Sequence, residues 1–464
     1  MKSRLSEKEI EIFETMPVPK AVAALAVPTV ISQIIAMVYN IADTWYIGQL
    51  NDTGMMSAVT LIFPAFLMLS AIANLFGIGG ASLLSRSLGR RDYDMVRRAG
   101  ASAAWLAAAT SLVYSFAVFV WCEPVLDALG ADERSLPYAS NYLFWTVTVG
   151  GLPTIMNMVL AHLIRAEGQS RHASFGMSLG GVLNVILDPI FIYDWGLGLA
   201  MEGAAIATAL SNAAAMFYLL YYLLRPREEN VVSLSPRYIC FGRSTAGEIF
   251  FVGLPATIQL VMNALSNVML NYLMSFYAAG ALSAVGIVKR IDQVPAYLAQ
   301  GIASGVIPLL AYNYASGDYK RLWRCTYFAG LCSLAVTLSY LAVCETAPAF
   351  LVRLFIEDAE AVAEGSVFLR LHCLSIPFMS VTTLVIAFFQ ATGRGRPALV
   401  LSFLRKGPID IPLMALMNMV WPMYGIMSVQ PMMDIAVASI CVATYKVMQR
   451  RDSEKASAPK SKDQ

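Results

Sequence analysis

The chain of 464 residues is 58% hydrophobic and 14% charged, with a formal net charge of +2. Because a soluble domain carries about 25% charged residues, this composition excludes a water-soluble globule and indicates a lipid bilayer as the solvent. The seven cysteines contain no C-x-x-C pair and predict neither a disulfide framework nor a metal cluster.

The apolar residues form twelve runs that are long enough to cross about 30 Å of hydrocarbon as helices. Helices 1 to 6 are predicted near residues 21–46, 55–83, 97–121, 138–164, 172–193 and 200–224. Helices 7 to 12 are predicted near 246–275, 281–314, 322–343, 362–389, 398–418 and 424–446. The period-two alternation of barrel strands is absent.

Polar stretches divide the chain into five predicted segments. These are a cytoplasmic N-terminal segment (1–20), an N-terminal six-helix lobe (21–224), a cytoplasmic linker (225–244), a C-terminal six-helix lobe (245–447) and a disordered cytoplasmic tail (448–464). The first segment is charged and precedes a full-length span, unlike a cleavable secretory signal. The linker is the longest polar stretch inside the chain.

Lysine and arginine are concentrated in alternate loops. Five arginines between residues 86 and 98 join helices 2 and 3, and basic residues recur at the 4–5 turn, in the linker and after helices 8, 10 and 12. The remaining loops are acidic or neutral, as at 123–133 and 357–364. Since basic loops stay in the cytoplasm, both termini are predicted to be cytoplasmic.

The two halves of the chain repeat each other at an offset near 225 residues. Pro28 in AVPTVISQI recurs as Pro255 in GLPATIQLV, and SAV at 57–59 recurs at 283–285. Six spans per repeat give both halves the same orientation, so they should be related by an axis along the membrane normal. The predicted fold is an all-α integral membrane protein with twelve transmembrane helices in two pseudo-symmetric six-helix bundles around a central cavity.

Two carboxylates stand out inside predicted spans, Asp43 in helix 1 and Asp188 in helix 5. An acid in hydrocarbon is costly unless it is paired, protonated or hydrated, so such acids mark functional sites. Counting from the helix ends places both at a similar depth. Asn184, Thr208 and Tyr39 add amide, hydroxyl and phenol oxygens at that level, and the five together predict a site for a hard cation or a proton.

A structural alternative applies to each acid. Asp43 would anchor a helix end at the membrane interface. Asp188 precedes Pro189 and would end a regular helix, because the residue before proline disfavours the α conformation.

Helix 7 carries amide side chains at every fourth position, which places them on one face. They are Gln259, Asn263, Asn267 and Asn271. This stripe is predicted to line the C-terminal side of the cavity; the alternative is hydrogen bonding between helices.

Helix 8 contains Lys289, Arg290 and Asp292, whose charges must pair or face water. Lys289 and Asp292 are predicted to neutralise each other, and His372 to be a packing residue.

Several motifs together resemble the multidrug and toxic compound extrusion family, and most closely its DinF-like branch. They include VYNIADTWYIG (38–48), SLGRRD (87–92), LIRAEGQSR (163–171), NVILDPIFIY (184–193) and LLAYNYASGDYKR (309–321). The resemblance implies a V-shaped pair of lobes that exchanges H⁺ or Na⁺ for organic, often cationic, compounds by alternating access. It also implies cation binding at Asp43, Asn184, Asp188 and Thr208. The helix 7 stripe carries no acid, a departure from the NorM-like branch, which has acidic cation ligands in its C-terminal lobe.

These observations predict a secondary active antiporter that exports organic drugs or metabolites. The alternative is a lipid-linked oligosaccharide flippase of the same broad superfamily. Its anionic cargo would need a strongly basic cavity, for which the sequence offers only Lys289 and Arg290. No enzyme motif is present. We expect no cofactor besides the coupling ion, no metal beyond Na⁺ at the N-lobe site, and no nucleic acid. The expected partners are small organic substrates and membrane lipids, for a monomer in the bacterial inner membrane.

Overall fold

A computed structural model describes residues 7–50, 52–128, 130–132, 134–225, 231–277, 279–356 and 358–457. Over these residues every regular element is a helix. A short lead-in, Glu7–Ile10 and the π-helical turn Glu11–Thr15, precedes the first span. Residues 1–6 of the predicted N-terminal segment and 226–230 of the linker lie outside the described residues.

All twelve predicted helices are present. The N-terminal lobe contains helix 1 (Val18–Gly48), helix 2 (Thr53–Gly89), helix 3 (Tyr93–Val120), helix 5 (Ser170–Ile192) and helix 6 (Ala200–Leu224). Its helix 4 is built from Ser135–Leu143, the π-helical turn Phe144–Val149 and Gly151–Ala166, with a bend of 45°. The short helix Cys122–Ala128 lies between helices 3 and 4.

The C-terminal lobe repeats this order. It contains helix 7 (Glu248–Met274, preceded by the π-helical turn Arg243–Gly247), helix 8 (Ala279–Ser316), helix 9 (Tyr319–Thr346), helix 10 (Ala359–Cys373 and Ile376–Ala391), helix 11 (Gly395–Arg405 and Asp410–Val420) and helix 12 (Tyr424–Ser457). The short helices Pro236–Tyr238 and Pro348–Arg353 lie in the linker and before helix 10.

Helix 11 is broken in mid-span. Ten of the described helices are long and apolar enough to cross a bilayer, and the bent helix 4 makes eleven. The twelfth span, helix 11, is interrupted at Lys406-Gly407-Pro408. Gly407 has a φ of +93°, and Pro408 offers no backbone N–H, so the helix stops and restarts at Asp410.

The repeat is visible in the turns as well as in the helices. Arg91 (φ 61°) and Gly317 (φ 81°) each precede an aspartate that caps the following helix. Asp92 accepts a hydrogen bond from the Met95 backbone N–H at 3.0 Å, and Asp318 accepts one from Arg321 at 2.9 Å. Both halves therefore build the same turn between their second and third helices.

Helix 12 is longer than the sequence predicts. Residues 448–457 were expected in a disordered tail, but the helix continues to Ser457. Its end is held by Asp452, which is 1% exposed and accepts a hydrogen bond from Arg394 Nη2 at 2.7 Å. This contact joins the extra turns of helix 12 to the turn between helices 10 and 11. Residues 458–464 of the predicted tail lie outside the described residues.

The two lobes pack against each other toward the end of the molecule that carries the termini. Helix 2 packs on helix 7, and helix 1 on helix 8. A Cβ at Gly253 would lie 1.8 Å from the carbonyl oxygen of Leu75, so only glycine permits this crossing. Arg86 forms a salt bridge with Glu248 across the interface. The molecule is therefore closed at this end.

The lead-in joins both lobes at the same closed end. Phe13 is fully buried and stacks on Tyr312 of helix 8, with ring centroids 4.7 Å apart. Arg321 donates to the Phe13 carbonyl at 2.8 Å, and Gln169 of the N-terminal lobe donates to Glu9. Residues 7–15 of the predicted N-terminal segment are thus packed between the lobes.

Candidate functional site

Asp188 lies inside helix 5 rather than at its end. The helix continues through Pro189 to Ile192, and Asp188 is 0% exposed. The alternative that this residue ends a regular helix is therefore wrong. Proline removes only one backbone donor, and the neighbouring helices accommodate the carbonyl that is left free.

Asn184 connects helices 5 and 6 beside this carboxylate. Its Nδ2 donates to Asp188 Oδ1 at 3.0 Å and to Thr208 Oγ1 at 3.2 Å. Asp188 Oδ2 and Asn184 Oδ1 are buried without a hydrogen-bond partner among the described residues. Two acceptor oxygens thus remain free, although buried polar atoms are normally satisfied.

Asp43 brings a second carboxylate to this cluster from helix 1. It is partly exposed, but its Oδ1 is buried and has no partner in the part of the chain that the structure describes. Asp43 and Asp188 lie within electrostatic reach of each other. Tyr39 packs beside them, where a Cβ on Gly181 would lie 3.1 Å from its ring. The structure therefore brings the five residues of the predicted cation site together, and we call them the N-lobe site.

Three further polar residues of the N-lobe site were missed. Tyr142 of helix 4 is 7% exposed and faces both carboxylates. Asn157 of the same helix donates to Asn212 Oδ1 at 3.2 Å, and Asn212 donates to the Thr208 carbonyl at 3.0 Å. Each of these two amides lies in a predicted span, and a polar side chain in an apolar span could have indicated a site. Tyrosine gives no such signal because it is common in membrane helices.

The amide stripe of helix 7 has no hydrogen bonds to neighbouring helices. Gln259 and Asn267 are half-buried, and Asn263 and Asn271 are exposed. Among the described residues no side-chain hydrogen bond holds any of the four. The alternative prediction of interhelical hydrogen bonding is therefore not supported.

A second polar cluster lies in the C-terminal lobe, where the broken helix 11 meets helices 7 and 12. Its members are Ser266, Arg405, Lys406, Asp410, Gln430 and Asp434, all at most 8% exposed. We call it the C-lobe charge cluster. Arg405 Nε donates to Asp434 Oδ1 at 3.0 Å, and Gln430 donates to Asp434 Oδ2 at 2.6 Å.

The other half of the C-lobe charge cluster surrounds Asp410. Ser266 donates to Asp410 Oδ2, and Lys406 Nζ lies 3.9 Å from the same oxygen and donates to Gln430. Arg405 and Lys406 fall within the predicted helix 11 and count, in the sequence, among the basic residues that surround the cytoplasmic 10–11 turn; the structure buries both side chains in the lobe. The break in helix 11 and the two acids allow these basic side chains to be buried.

The partner of Asp292 also differs from the prediction. His372 Nε2 lies 3.3 Å from Asp292 Oδ2, and His372 is 1% exposed. The imidazole therefore pairs with an acid rather than serving only as packing. Lys289 contributes to the same electrostatic environment, within reach of Asp292, Asp410 and Asp434.

The family is decided by a match that occurs twice. The MatE family model matches residues 28–190 and again residues 255–416. The chain belongs to the MatE family. The paired matches begin at Pro28 and Pro255 and confirm the internal repeat.

Relatives of this MatE protein include named export proteins. The multidrug export protein MepA of Staphylococcus aureus (strain MSSA476) is 30% identical over 425 residues, covering 91% of this chain and 92% of that protein. MepA of Staphylococcus haemolyticus (strain JCSC1435) is 29% identical over 428 residues, with the same coverage. The chain is thus a membrane transporter and not an enzyme.

Solved MatE structures have the same fold. A multidrug resistance MATE family transporter of the MOP superfamily, in an outward-facing conformation, gives a TM-score of 0.91 at 21% identity, covering 97% of this chain and all of that one. A MATE in complex with MaD3S gives 0.90 at 20% identity, with the same coverage. At these identities the likeness establishes the architecture alone.

The two clusters of this MatE transporter differ in charge balance. Within the described residues, neither Asp43 nor Asp188 forms an ion pair with a lysine or an arginine, whereas Asp410 and Asp434 each have a basic partner. Two neighbouring carboxylates inside a membrane lobe, without a basic partner among the described residues, attract a cation because their charge is uncompensated. The N-lobe site is therefore suited to hold a proton or a desolvated cation.

Proposed function

We propose that the protein is an antiporter that exports organic, often cationic, compounds in exchange for H⁺ or Na⁺. The observation that carries this proposal is the N-lobe site, where two acids share one region of the lobe and, in the part of the chain that the structure describes, have no basic partner. Its oxygens include Asp43 Oδ1, Asp188 Oδ2 and Asn184 Oδ1, all buried and free among the described residues. A carboxylate, amide and hydroxyl set is the chemistry that hard cations prefer.

Exchange follows from competition for the same negative charge. In a low-dielectric lobe, binding of one cation to Asp43 and Asp188 removes the attraction for a second one. Binding of H⁺ or Na⁺ therefore favours release of a cationic substrate. Binding of a cationic substrate likewise favours release of H⁺ or Na⁺. The amide stripe of helix 7 contributes the opposite wall of the substrate cavity, since its side chains form no hydrogen bonds to other helices within the described ranges.

Alternating access uses the two lobes as its moving bodies. We assign them to residues 21–224 and 245–447, joined by the linker 225–244, with both termini in the cytoplasm of a bacterial cell and the chain acting as a monomer in the inner membrane. In this orientation the closed end faces inward, so the conformation is outward-facing. The cation site in the N-terminal lobe favours the DinF-like branch of the family.

The charge balance argues against the flippase alternative. A lipid-linked anionic cargo needs positive charge that is free to bind it. Arg405 is paired with Asp434, and Lys406 lies beside Asp410. The C-lobe charge cluster therefore offers no unneutralised basic wall.

The proposal is tested by ethidium transport in everted membrane vesicles, with proton and sodium gradients imposed separately. We expect one gradient to drive transport, and Asp43→Asn and Asp188→Asn each to reduce it to the level of vesicles without the protein. Asp127→Asn, at an exposed residue, is the matched control and should transport normally. Undiminished transport by both site variants, with correct membrane insertion, would refute the assignment.

A further inference from the structure

A large cavity opens at the closed end of the molecule, away from both polar clusters. It has a volume of about 1010 Å³ and lies between the start of helix 7, the turn between helices 10 and 11, and the end of helix 12. Neither the N-lobe site nor the C-lobe charge cluster contributes to its walls. The cavity therefore lies outside the site at which substrate and coupling ion are proposed to compete.

Positive charge dominates the walls of this cavity. Four arginines line it: Arg243, Arg394, Arg396 and Arg451. The acids in the lining are Glu248 and Asp452, and each is already engaged, with Arg86 and Arg394 respectively. Among the described residues, no acid pairs with the remaining three arginines. The cavity thus keeps an excess of positive charge.

One buried guanidinium nitrogen in the cavity wall and one directly behind that wall have no acceptor among the described residues. Arg394 Nη1 is buried and unpartnered within the described part of the chain, and so is Arg86 Nη2. Arg86 is 3% exposed and packs behind Gly393, which lines the cavity. Buried donors without acceptors are uncommon, and here they accompany a space that is large enough for a ligand.

Apolar side chains form the other part of the wall. Phe251 is 57% exposed, and Val252, Pro397 and Met448 also line the cavity. Helix 7 begins at Glu248, so Phe251 lies within its first turns, where a span emerges from the membrane. An arginine-rich space beside an exposed aromatic ring matches an amphiphile with an anionic head and an apolar tail.

We propose that this cavity binds the phosphate headgroup of an anionic phospholipid from the cytoplasmic leaflet. Guanidinium groups present paired N–H donors that match phosphate oxygens, and basic pockets between membrane helices on the cytoplasmic side bind acidic headgroups. The leaflet assignment rests on the orientation given under Proposed function. The binding site itself depends on neither that orientation nor transport.

The test is native mass spectrometry of the detergent-purified full chain titrated with phosphatidylglycerol. The site variant combines Arg243→Gln, Arg396→Gln and Arg451→Gln. The control combines Arg90→Gln, Lys320→Gln and Arg324→Gln, which removes the same charge from exposed basic residues at the same end of the molecule. We expect the dissociation constant to rise about tenfold in the site variant and to stay within about twofold in the control.

Two further titrations distinguish an anionic phospholipid from a neutral phospholipid and from free phosphate. Phosphatidylcholine should bind the wild type weakly, and millimolar inorganic phosphate should leave phosphatidylglycerol bound. Equal retention by the site and control variants, equal binding of phosphatidylcholine, or displacement by inorganic phosphate would each overturn the proposal. Size-exclusion elution and the melting temperature confirm that both variants are folded. Since no gradient is involved, a failure here is distinct from a failure of antiport.

Discussion

Aspartate has two different roles in this protein, and its neighbours decide which. Asp188 accepts from Asn184 and has no basic partner among the described residues, while Asp434 accepts from Arg405 and Gln430. A neutral donor leaves the negative charge available, whereas a guanidinium cancels it. The first arrangement suits a binding site, and the second stabilises the packing of helices.

Asn184→Ala tests whether the neutral donor beside Asp188 is part of the binding site. Loss of this amide should change the affinity for the coupling ion tenfold or more, since a hydrogen bond to a charged group contributes about 1.5–3 kcal/mol. Binding of H⁺ should strengthen, because Asp188 loses a donor that stabilises its charged form, whereas binding of Na⁺ should weaken, because the free Asn184 Oδ1 is lost. The readout is the concentration of H⁺ or Na⁺ that gives half-maximal ethidium transport. Asn141→Ala, at an exposed residue of helix 4, should leave that value unchanged. An unaltered half-maximal concentration in Asn184→Ala would contradict the ligand role.

The sequence could predict the acids of the N-lobe site but not all of its members. Asp43 and Asp188 are conspicuous because a charged residue in an apolar run has few structural explanations. Asn157 and Asn212 are weaker indications of the same kind, because they are polar but uncharged. Tyr142 lies within electrostatic reach of both carboxylates from helix 4, and no pattern within that helix shows that it meets residues of helices 1 and 5.

Helix 11 shows how a broken element creates a buried charge network. Lys406-Gly407-Pro408 stops the helix, and this break was predictable from the residues themselves. The network was not, because Ser266 and Asp410 come from helices that are far apart in the chain. A pattern that is read one helix at a time cannot show which side chains will meet across the lobe.

The C-lobe charge cluster yields a prediction about stability. Asp434→Asn leaves Arg405 buried without its counter-charge and should lower the free energy of unfolding by about 3–5 kcal/mol. The double variant Arg405→Met/Asp434→Leu should recover most of this loss, because apolar replacement of a buried ion pair is often close to neutral. Thermal unfolding in detergent measures both. A single variant as stable as the wild type would show that the pair contributes nothing.

The lobes meet at the end that carries the termini, and this defines the conformation of the whole molecule. The twelve helices and their repeat were predictable, because span length, loop charge and a fixed offset are long-range regularities. The closed end was not, since it depends on contacts such as Arg86 with Glu248 and Gly253 with Leu75.

The salt bridge between Arg86 and Glu248 is predicted to hold the two lobes together at the closed end. Glu248→Gln leaves the buried guanidinium of Arg86 without its acid and should shift the population toward a state that is open at this end. Distances between spin labels on helices 3 and 9 at that end should lengthen. The exchanged pair Arg86→Glu/Glu248→Arg should restore short distances. Identical distance distributions in Glu248→Gln and the wild type would exclude a role in closure.

The proposed exchange requires that substrate and coupling ion compete for the N-lobe site. It is tested most directly by adding ethidium to the purified protein and measuring ion release, with a pH indicator for H⁺ and with displacement of bound ²²Na⁺ for sodium. We expect the wild type to release one kind of ion, and Asp43→Asn and Asp188→Asn to release none. Undiminished release by both variants, or ethidium binding without release of either ion from the wild type, would contradict it.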